Sequence, residues 1–497
     1  MTAQHVKTIG RTDRLSYLWL VIAVILLLFS NGKWIIPISP WLFAVFMLRF
    51  LRTQKSVRGL LIAFPLVLFI FFISWKGLLP FPGAMYYLFA GLMGLSFFLP
   101  FIADRLVSPR LKGFWATLIF PLAFTSVEFL LLLFTPNATW GSLAYTQYGN
   151  LPLLEIVTVT GIGGLTFLIT WFASVANYAW ERDFSWQDIR KGVTLYVGIV
   201  VLVLLLGGAR LSVFEPESNT VRVSSITSSA EFSVRDEIAR KKDKSEITAL
   251  MLKEHNRMLE SSMQAVHAGA KIIFWQEYGC RVFKEDEPTL IEDGRDFARR
   301  EKIYLGMAIG SIPDGYPEKL VENKIILIDS AGEIIVEYIK SKPAPGEGCI
   351  SGSGKIPVVE TPYGRIATAI CFDMDFPNLI NQAGKSDADL MIIPSNDWRE
   401  IVPLHTHMAV FRAIENGFSM IRGTGHGLSI AVDCQGRELA RLNWFNSDDQ
   451  VMIADVPTSG ITTVFSKIGQ FFSWFCLVGL IAVIGWVLFH RKGEELA

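Results

Sequence analysis

Ile366-Ala-Thr-Ala-Ile-Cys-Phe-Asp-Met-Asp-Phe-Pro377 is the stretch whose reading decides the fold. An apolar run of strand character ends on one cysteine, Cys371. Asp373, Asp375 and a Phe376-Pro377 pair follow, and a proline is well suited to open a helix. The pattern predicts a buried strand with Cys371 at its end, on a sharp turn into a helix. Strand ends and the loops after them are where α/β folds keep their chemistry. A lone cysteine in such a run is ordinarily a small core residue, so its meaning depends on what else the chain contains.

Two further stretches change the reading. Lys271-Ile-Ile-Phe-Trp-Gln-Glu277 is an apolar strand ending in a carboxylate, and Ile334-Ile-Val-Glu-Tyr-Ile-Lys340 is a strand ending in a lysine. Ser341-Lys-Pro-Ala-Pro-Gly-Glu347 comes next. A cysteine nucleophile needs a base to take its proton and a cation or donors to hold the oxyanion that its attack creates. Glutamate supplies the first and lysine the second. Each signal is weak alone, but the ordered set Glu277, Lys340, Cys371 resembles the Glu-Lys-Cys motifs of the nitrilase, or carbon-nitrogen hydrolase, superfamily. The resemblance implies an α-β-β-α sandwich over roughly residues 220–457.

The rest of the chain is unlike a soluble hydrolase. Of 497 residues, 51% are hydrophobic and only 19% charged, a balance that points to a polytopic membrane protein. Apolar runs near the ~20 residues of a helical span lie at Leu15–Ser30, Trp34–Phe50, Val57–Trp75, Gly83–Ala103, Phe114–Phe134, Val157–Trp180 and Val193–Leu211. An eighth lies at Ile468–Phe489. Basic residues gather in alternate loops: Lys7, Arg11 and Arg14; Arg49, Arg52, Lys55 and Arg58; Arg105, Arg110 and Lys112; Arg182, Arg190 and Lys191. By the positive-inside rule the N-terminus is cytoplasmic and the polar region after the seventh span is outside. Arg491 and Lys492 return to the cytoplasm, and Arg210 is the exception to the alternation. The predicted domains are a membrane domain of about seven helices over 1–212, an extracytoplasmic nitrilase-like catalytic domain over 213–462, and a closing helix with a cytoplasmic tail over 463–497.

Seven spans, an external nitrilase-like domain and one closing span resemble the apolipoprotein N-acyltransferase family of bacterial envelopes. Trp140-Gly-Ser-Leu-Ala-Tyr-Thr-Gln147, Val159-Thr-Gly-Ile-Gly-Gly-Leu165, Ser395-Asn-Asp-Trp398 and Arg412-Ala-Ile-Glu-Asn-Gly417 carry the likeness beyond the triad. The chain departs from the family pattern at Gln276 (usually Pro), Phe372 (usually Tyr), Lys342 (commonly His), Ser224–Ser229 (usually containing Gln-Gly-Asn) and Arg422–Gly427, which lacks an Asn. The resemblance implies acyl transfer from a phospholipid donor, through a thioester on Cys371, to the N-terminal amine of a diacylglyceryl-modified lipoprotein. It implies Glu277 as base, Lys340 as oxyanion stabiliser, Glu347 as their support (here one residue nearer the lysine than the family spacing), and an inner-membrane monomer with its catalytic domain on the periplasmic face.

Other candidates have two readings each. Phe372 and Trp398 wall an acyl pocket or fill core. Asp373 and Asp375 orient Lys340 or cap the next helix. Glu128, inside an apolar span, binds a lipid headgroup or pairs between helices. Trp140, Tyr145 and Tyr148 are an interfacial aromatic belt in the simplest reading. His405, His407 and His426 match no ligand pattern, and the five cysteines have no metal spacing, so neither metal nor cofactor is expected. Equal numbers of acidic and basic residues, 46 each, leave no nucleic-acid footprint. An oxidising compartment permits a Cys280–Cys349 disulfide. Two rival classes stand beside the acyltransferase: a membrane-tethered amidase or nitrilase acting on a small amide, and a non-catalytic lipid-binding protein, which the intact triad disfavours.

Overall fold

The computed structural model describes residues 13–213, 219–228, 243–447 and 450–494, with side chains to 489. Lys7, Arg11, Ser229 and the side chains of Arg491 and Lys492 lie outside the described residues. The chain divides into two compact units, with boundaries after Val213 and before Ile468.

In the first unit a helix stands at each expected span. They are α1 (Ser16–Leu28), α2 (Ser39–Thr53), α3 (Ser56–Ser74), α4 (Gly83–Val107), α5 (Ile119–Phe134), α6 (Ile162–Trp180) and α7 (Trp186–Val213), with a closing helix at Phe471–Glu494. Among the described residues, six are long and apolar enough to cross a membrane. The two others are α1, of 13 residues, and α2, of 15. At 1.5 Å per residue these reach only ~20–22 Å, against a hydrocarbon core of ~30 Å. α2 starts at Ser39 rather than Trp34, with Pro40 in its first turn, where a missing N–H costs nothing. The expected run Val157–Trp180 is broken at Gly161 (φ 64°) into a short turn and α6. Arg210, the exception to the basic alternation, is paired with Glu155 at 2.6 Å.

The second unit is an α-β-β-α sandwich. Its first sheet takes β1 (Thr220–Ile226), β2 (Ile272–Trp275), β3 (Cys280–Phe283), β4 (Tyr304–Ile312), β5 (Glu322–Ile328), β6 (Ile334–Ile339) and β13 (Val451–Pro457), in the order β13-β1-β2-β4-β5-β6 with β3 also on β4. The second takes β7 (Val358–Thr361), β8 (Gly364–Thr368), β9 (Leu390–Asn396), β10 (Ser419–Gly425), β11 (Leu428–Val432) and β12 (Glu438–Asn443), ordered β12-β11-β10-β9-β8-β7. The central strands β1-β2-β4 and β8-β9-β10 are parallel, so their ends of like sense lie together. The sheets meet closely: a Cβ on Gly423 of β10 would stand 2.6 Å from Ser225 Cβ of β1 and 3.0 Å from the Phe274 ring of β2.

Helices α8 (Lys244–His267) and α9 (Glu287–Glu301) cover the first sheet, and α10 (Pro377–Lys385) and α11 (Leu404–Asn416) the second. Asp243 caps α8 by accepting from the Glu246 N–H at 2.8 Å. The helix buries Ile247, Met251, Met258 and Ala265 at helical spacing, and Met258 and Ala265 join the core around Trp275, Phe297 and Ile326. α9 ends on left-handed Lys302, and the following strand starts at Tyr304. Gly332 (φ 83°) makes the turn between β5 and β6. All five cysteines are free thiols, which corrects the expected Cys280–Cys349 bond.

Candidate active site

Three strand ends converge on one buried polar cluster. The chain leaves β2 through Gln276, whose N–H bonds to the Ile226 carbonyl at 2.9 Å, and reaches Glu277. It leaves β6 at Lys340, held on both sides: the Lys340 N–H donates to the Asn323 carbonyl at 2.9 Å and its carbonyl accepts from Gly352 at 2.8 Å. It leaves β8 through Ala369 and Ile370 into a turn of 3-10 helix over Cys371–Asp375. Cys371 is left-handed (φ 49°), an uncommon conformation for a residue with a side chain, and such strain collects at functional sites.

Glu277, Lys340 and Cys371 are 2%, 1% and 5% exposed, so each charge must be met inside the protein. The Lys340 ammonium donates to Glu277 Oε1 and Glu347 Oε2, both at 2.7 Å. Asn323 Nδ2 bridges the same carboxylates, at 2.7 Å to Glu277 Oε1 and 2.8 Å to Glu347 Oε1. Glu347 also accepts from the Ala344 N–H at 2.7 Å and the Tyr278 hydroxyl at 3.1 Å. The loop 341–355, despite its Gly, Ser and Pro content, is thus tied down. Gly352, Ile350 and Ser351 bond to Lys340, Val321 and Ser341 as well.

The protonation balance follows from this geometry. Burial raises the Glu277 carboxyl above the usual range, against the pull of Lys340. Burial acts the same way on Glu347, but there Lys340 and the hydrogen bonds win and the carboxyl is lowered. Burial works against the charge on Lys340, yet Glu277, Cys371 and Glu347 outweigh it and hold its pKa well above the ordinary value. The Cys371 thiol is pushed well up, by burial first and then by the Glu277 charge, with Lys340 and Arg422 opposing. Its Sγ lies 3.7 Å from the Asn396 carbonyl at the end of β9. A resting thiol beside a carboxylate of raised pKa is an arrangement for proton transfer during attack, not for a standing thiolate.

Asp373 joins the cysteine turn to the lysine strand. Its Oδ2 accepts from the Tyr338 hydroxyl at 2.7 Å and the Ile370 N–H at 3.0 Å, and its Oδ1 from the Lys342 N–H at 2.7 Å. It therefore caps its own turn while holding both flanks of Lys340, and burial lifts its carboxyl to about 6. Asp375 belongs to a different cluster. His405 lies 3.2 Å from Asp375 Oδ2 through Nε2 and 2.7 Å from Asp397 Oδ1 through Nδ1, and Arg422 donates to the same Asp397 oxygen at 3.1 Å. Cys371, Asp397 and His405 bring potential ligand atoms within 4.8 Å of one another. Both ring nitrogens of His405 face carboxylates and its pKa rises to about 9, with burial opposing and Asp375 and Asp397 prevailing, so the group reads as an ion cluster.

The other candidates separate. Phe372 is buried, its ring 5.2 Å from that of Phe376 and edge-on. Trp398 is half-buried just past β9. Gln276 accepts from the Ser228 N–H at 3.0 Å. In the first unit, Glu128 accepts from the Leu143 N–H, Ser142 Oγ and Thr166 Oγ at 3.0, 2.9 and 2.7 Å, so it fastens the 140s loop between helices. Tyr145 is buried with its hydroxyl on Thr139, not part of an exposed belt. Asn323, Tyr278 and the His405 cluster were not legible as site residues in the sequence. A polar Asn opening an apolar strand, Asn323-Lys-Ile-Ile-Leu-Ile328, is the one local signal for the first.

Residues 250–464, which hold this cluster, match the family model described as carbon-nitrogen hydrolase, so the α-β-β-α sandwich is that of a nitrilase-superfamily enzyme. Residues 15–175 match the apolipoprotein N-acyltransferase N-terminal domain. The apolipoprotein N-acyltransferase of Geobacter metallireducens is 26% identical over 77% of this chain and 76% of its own, and that of Rickettsia typhi 24% over 71% and 73%. The chain belongs to the apolipoprotein N-acyltransferase family. Among solved structures, an amidase from Nesterenkonia sp. aligns with 50% of this chain and 94% of its own, at 17% identity and a TM-score of 0.40.

Proposed function

We propose that the protein transfers a fatty acyl chain from a phospholipid to the N-terminal α-amine of a diacylglyceryl-modified cysteine on a lipoprotein, through a thioester on Cys371. The observation that carries this reading is the buried Glu277–Lys340–Glu347 cluster facing a left-handed cysteine. Cys371 Sγ attacks the ester carbonyl as Glu277 takes the thiol proton. The oxyanion is met by the Lys340 ammonium and the Phe372 N–H. Collapse expels the lysophospholipid alkoxide, which recovers the proton from Glu277 and leaves the thioester. The lipoprotein amine then attacks, Glu277 accepts its proton, and Cys371 leaves to regain it as the amide forms. Glu347, which shares Lys340 and Asn323 with Glu277, keeps the lysine charged and aimed.

On this proposal the basic loops lie in the cytoplasm and the catalytic unit on the periplasmic face of the inner membrane, an orientation that the alternation of basic residues along the chain supports. A monomer suffices, since one chain supplies every group named. Both substrates are lipid-anchored, and withdrawing an acyl chain into water costs ~0.8 kcal/mol per CH₂, a cost that membrane helices remove.

Intact-mass spectrometry of the purified protein after incubation with phospholipid tests the reading. One acyl chain added to the unmodified protein, and then passed to a diacylated N-terminal peptide, is the expected result. A thioester that only water discharges would instead favour a hydrolase of the amidase type.

A further inference from the structure

The helical unit holds a second buried charge cluster that the reaction does not use. α2 ends with Arg49 and Arg52, α4 with Asp104 and Arg105, and α6 runs out into Glu181 and Arg182. These six residues line a cavity of about 260 Å³. Arg52 is satisfied: it donates to both Asp104 oxygens, at 3.1 and 2.7 Å, and to Glu181 at 3.1 Å. The others are not matched in this way. Arg105 is only 6% exposed, its Nη2 donates to the neutral Gln54 carbonyl at 2.8 Å, and its buried Nε has no partner. Arg182 donates to the Tyr178 carbonyl at 3.0 Å and lies 3.6 Å over that ring. Among the described residues, neither Arg105 nor Arg182 forms an ion pair. Arg49 reaches Asp13 only at 3.5 Å, and its buried Nε is also without a partner.

A buried guanidinium without an anion is costly, and intramembrane charges ordinarily find partners. The empty N–H positions of Arg49 and Arg105 beside a cavity call for a compact anion with several acceptor oxygens. Phosphate meets that description, and the planar guanidinium fork matches it. Leu111 lines this cavity and also an adjoining apolar groove of about 600 Å³, walled by Trp115, Ile119 and Leu122 on one side and Val483 and Trp486 of the closing helix on the other. Arg110 and Lys112 stand in the lining of that groove. We propose that the cavity binds a phosphate group and that a phospholipid carries it, headgroup among Arg49, Arg105 and Arg182 and acyl chain along the groove. Basic pockets between membrane helices are suited to anionic headgroups. None of these residues is in the Cys371 site, so this lipid is a resident ligand and not the acyl donor.

The test uses the full-length protein in a non-ionic detergent. Its thermal unfolding is titrated with dihexanoylphosphatidylglycerol, with inorganic phosphate and with uncharged dihexanoylglycerol. Stabilisation by the phosphatidylglycerol alone, with half-saturation raised about tenfold or more in Arg105→Gln and largely restored in Arg105→Lys, is the expected result. Equal stabilisation by inorganic phosphate, lost in the same variant, supports the site and assigns it to the free anion. An Arg105→Gln protein that responds like the unmodified chain overturns the proposal, as does equal stabilisation by dihexanoylglycerol. Arg182→Gln, at a half-buried position, repeats the comparison if Arg105→Gln does not fold.

Discussion

Two ion clusters flank Cys371, and they are built differently. On the side of the first sheet, one cation, Lys340, serves two carboxylates, Glu277 and Glu347. On the side of the second sheet, two cations, His405 and Arg422, serve two carboxylates, Asp375 and Asp397. The first has a surplus of negative charge, and there burial first, with the Glu347 charge adding to it, raises the Glu277 carboxyl against the pull of Lys340. The second is balanced in formal charge, two cations to two carboxylates, with His405 lifted to about 9 against burial by Asp375 and Asp397, and Asp397 lowered against burial by His405 and Arg422. A cluster that can accept a proton suits chemistry, and one that cannot suits scaffolding. Glu277 and Lys340 are as buried as His405 and Asp397, so burial alone does not tell a site from a strut; the charge count separates the two clusters.

The largest effect that breaks this comparison lies between the clusters. Cys371→Ala should abolish the acyl adduct in intact-mass spectrometry, and Cys371→Ser should come close, because an alcohol is far less acidic than a thiol. Normal transfer by Cys371→Ala would end the covalent mechanism.

Glu277→Gln should slow single-turnover acylation by roughly 10²- to 10⁴-fold. The unmodified protein needs Glu277 deprotonated, so its rate should rise with pH through the raised carboxyl pKa, with the acid limb above the ordinary carboxylate range. Glu277→Gln should lose that limb. A limb that survives unchanged assigns the titration to another group. On the alkaline side Lys340 should not limit the rate, because its pKa is held well above the ordinary value.

Lys340→Ala should cost roughly 10²- to 10³-fold in acylation through lost oxyanion stabilisation, while the folded protein persists. Glu347→Gln keeps the shape and removes one charge from the surplus, and should cost only about tenfold. A loss as large as that of Glu277→Gln would make the two carboxylates equal partners and erase the distinction between base and support.

The balanced cluster should fail differently. His405→Gln removes one of the two cations from the cluster and leaves two buried carboxylates to Arg422, a change that costs ~3–5 kcal/mol of stability. The unfolding midpoint should fall, while the acylation rate of the folded fraction stays within about tenfold of normal. A collapse in rate with an unchanged midpoint would move His405 into the chemistry.

How far the sequence could be read follows the same physics. Strand-ending Glu277, Lys340 and Cys371 were legible because each closes an apolar run, and a polar residue there has few other reasons to be present. Glu347 was visible only through family likeness, since a loop carboxylate looks solvated until Lys340, Ala344 and Tyr278 are seen around it. Asn323 was hidden because its partner Glu277 lies 46 residues away, and His405 because it joins Asp397, eight residues back, to Asp375, 30 residues back, and no local pattern encodes such contacts. Among the described residues, hydropathy located the eight long helices of the membrane unit but overestimated α1 and α2, and for α2 a greasy run does not report where Pro37 and Pro40 let a helix begin. The disulfide rested on an oxidising compartment and on Cys280 and Cys349 each lying just after a site glutamate, and neither cysteine is in a disulfide.

The strand ends carry one more consequence. Glu277 and Lys340 end strands of one sheet, and Cys371 ends a strand of the other. Only the docked sandwich brings nucleophile and base together, and in sequence the base and lysine are made before the cysteine. The proposed acylation therefore depends on the seam between the sheets, where Gly423 leaves room for β10 to lie against Ser225 and Phe274. A residue that props the sheets apart, such as Gly423→Val, should yield a membrane-inserted protein whose cysteine never acylates.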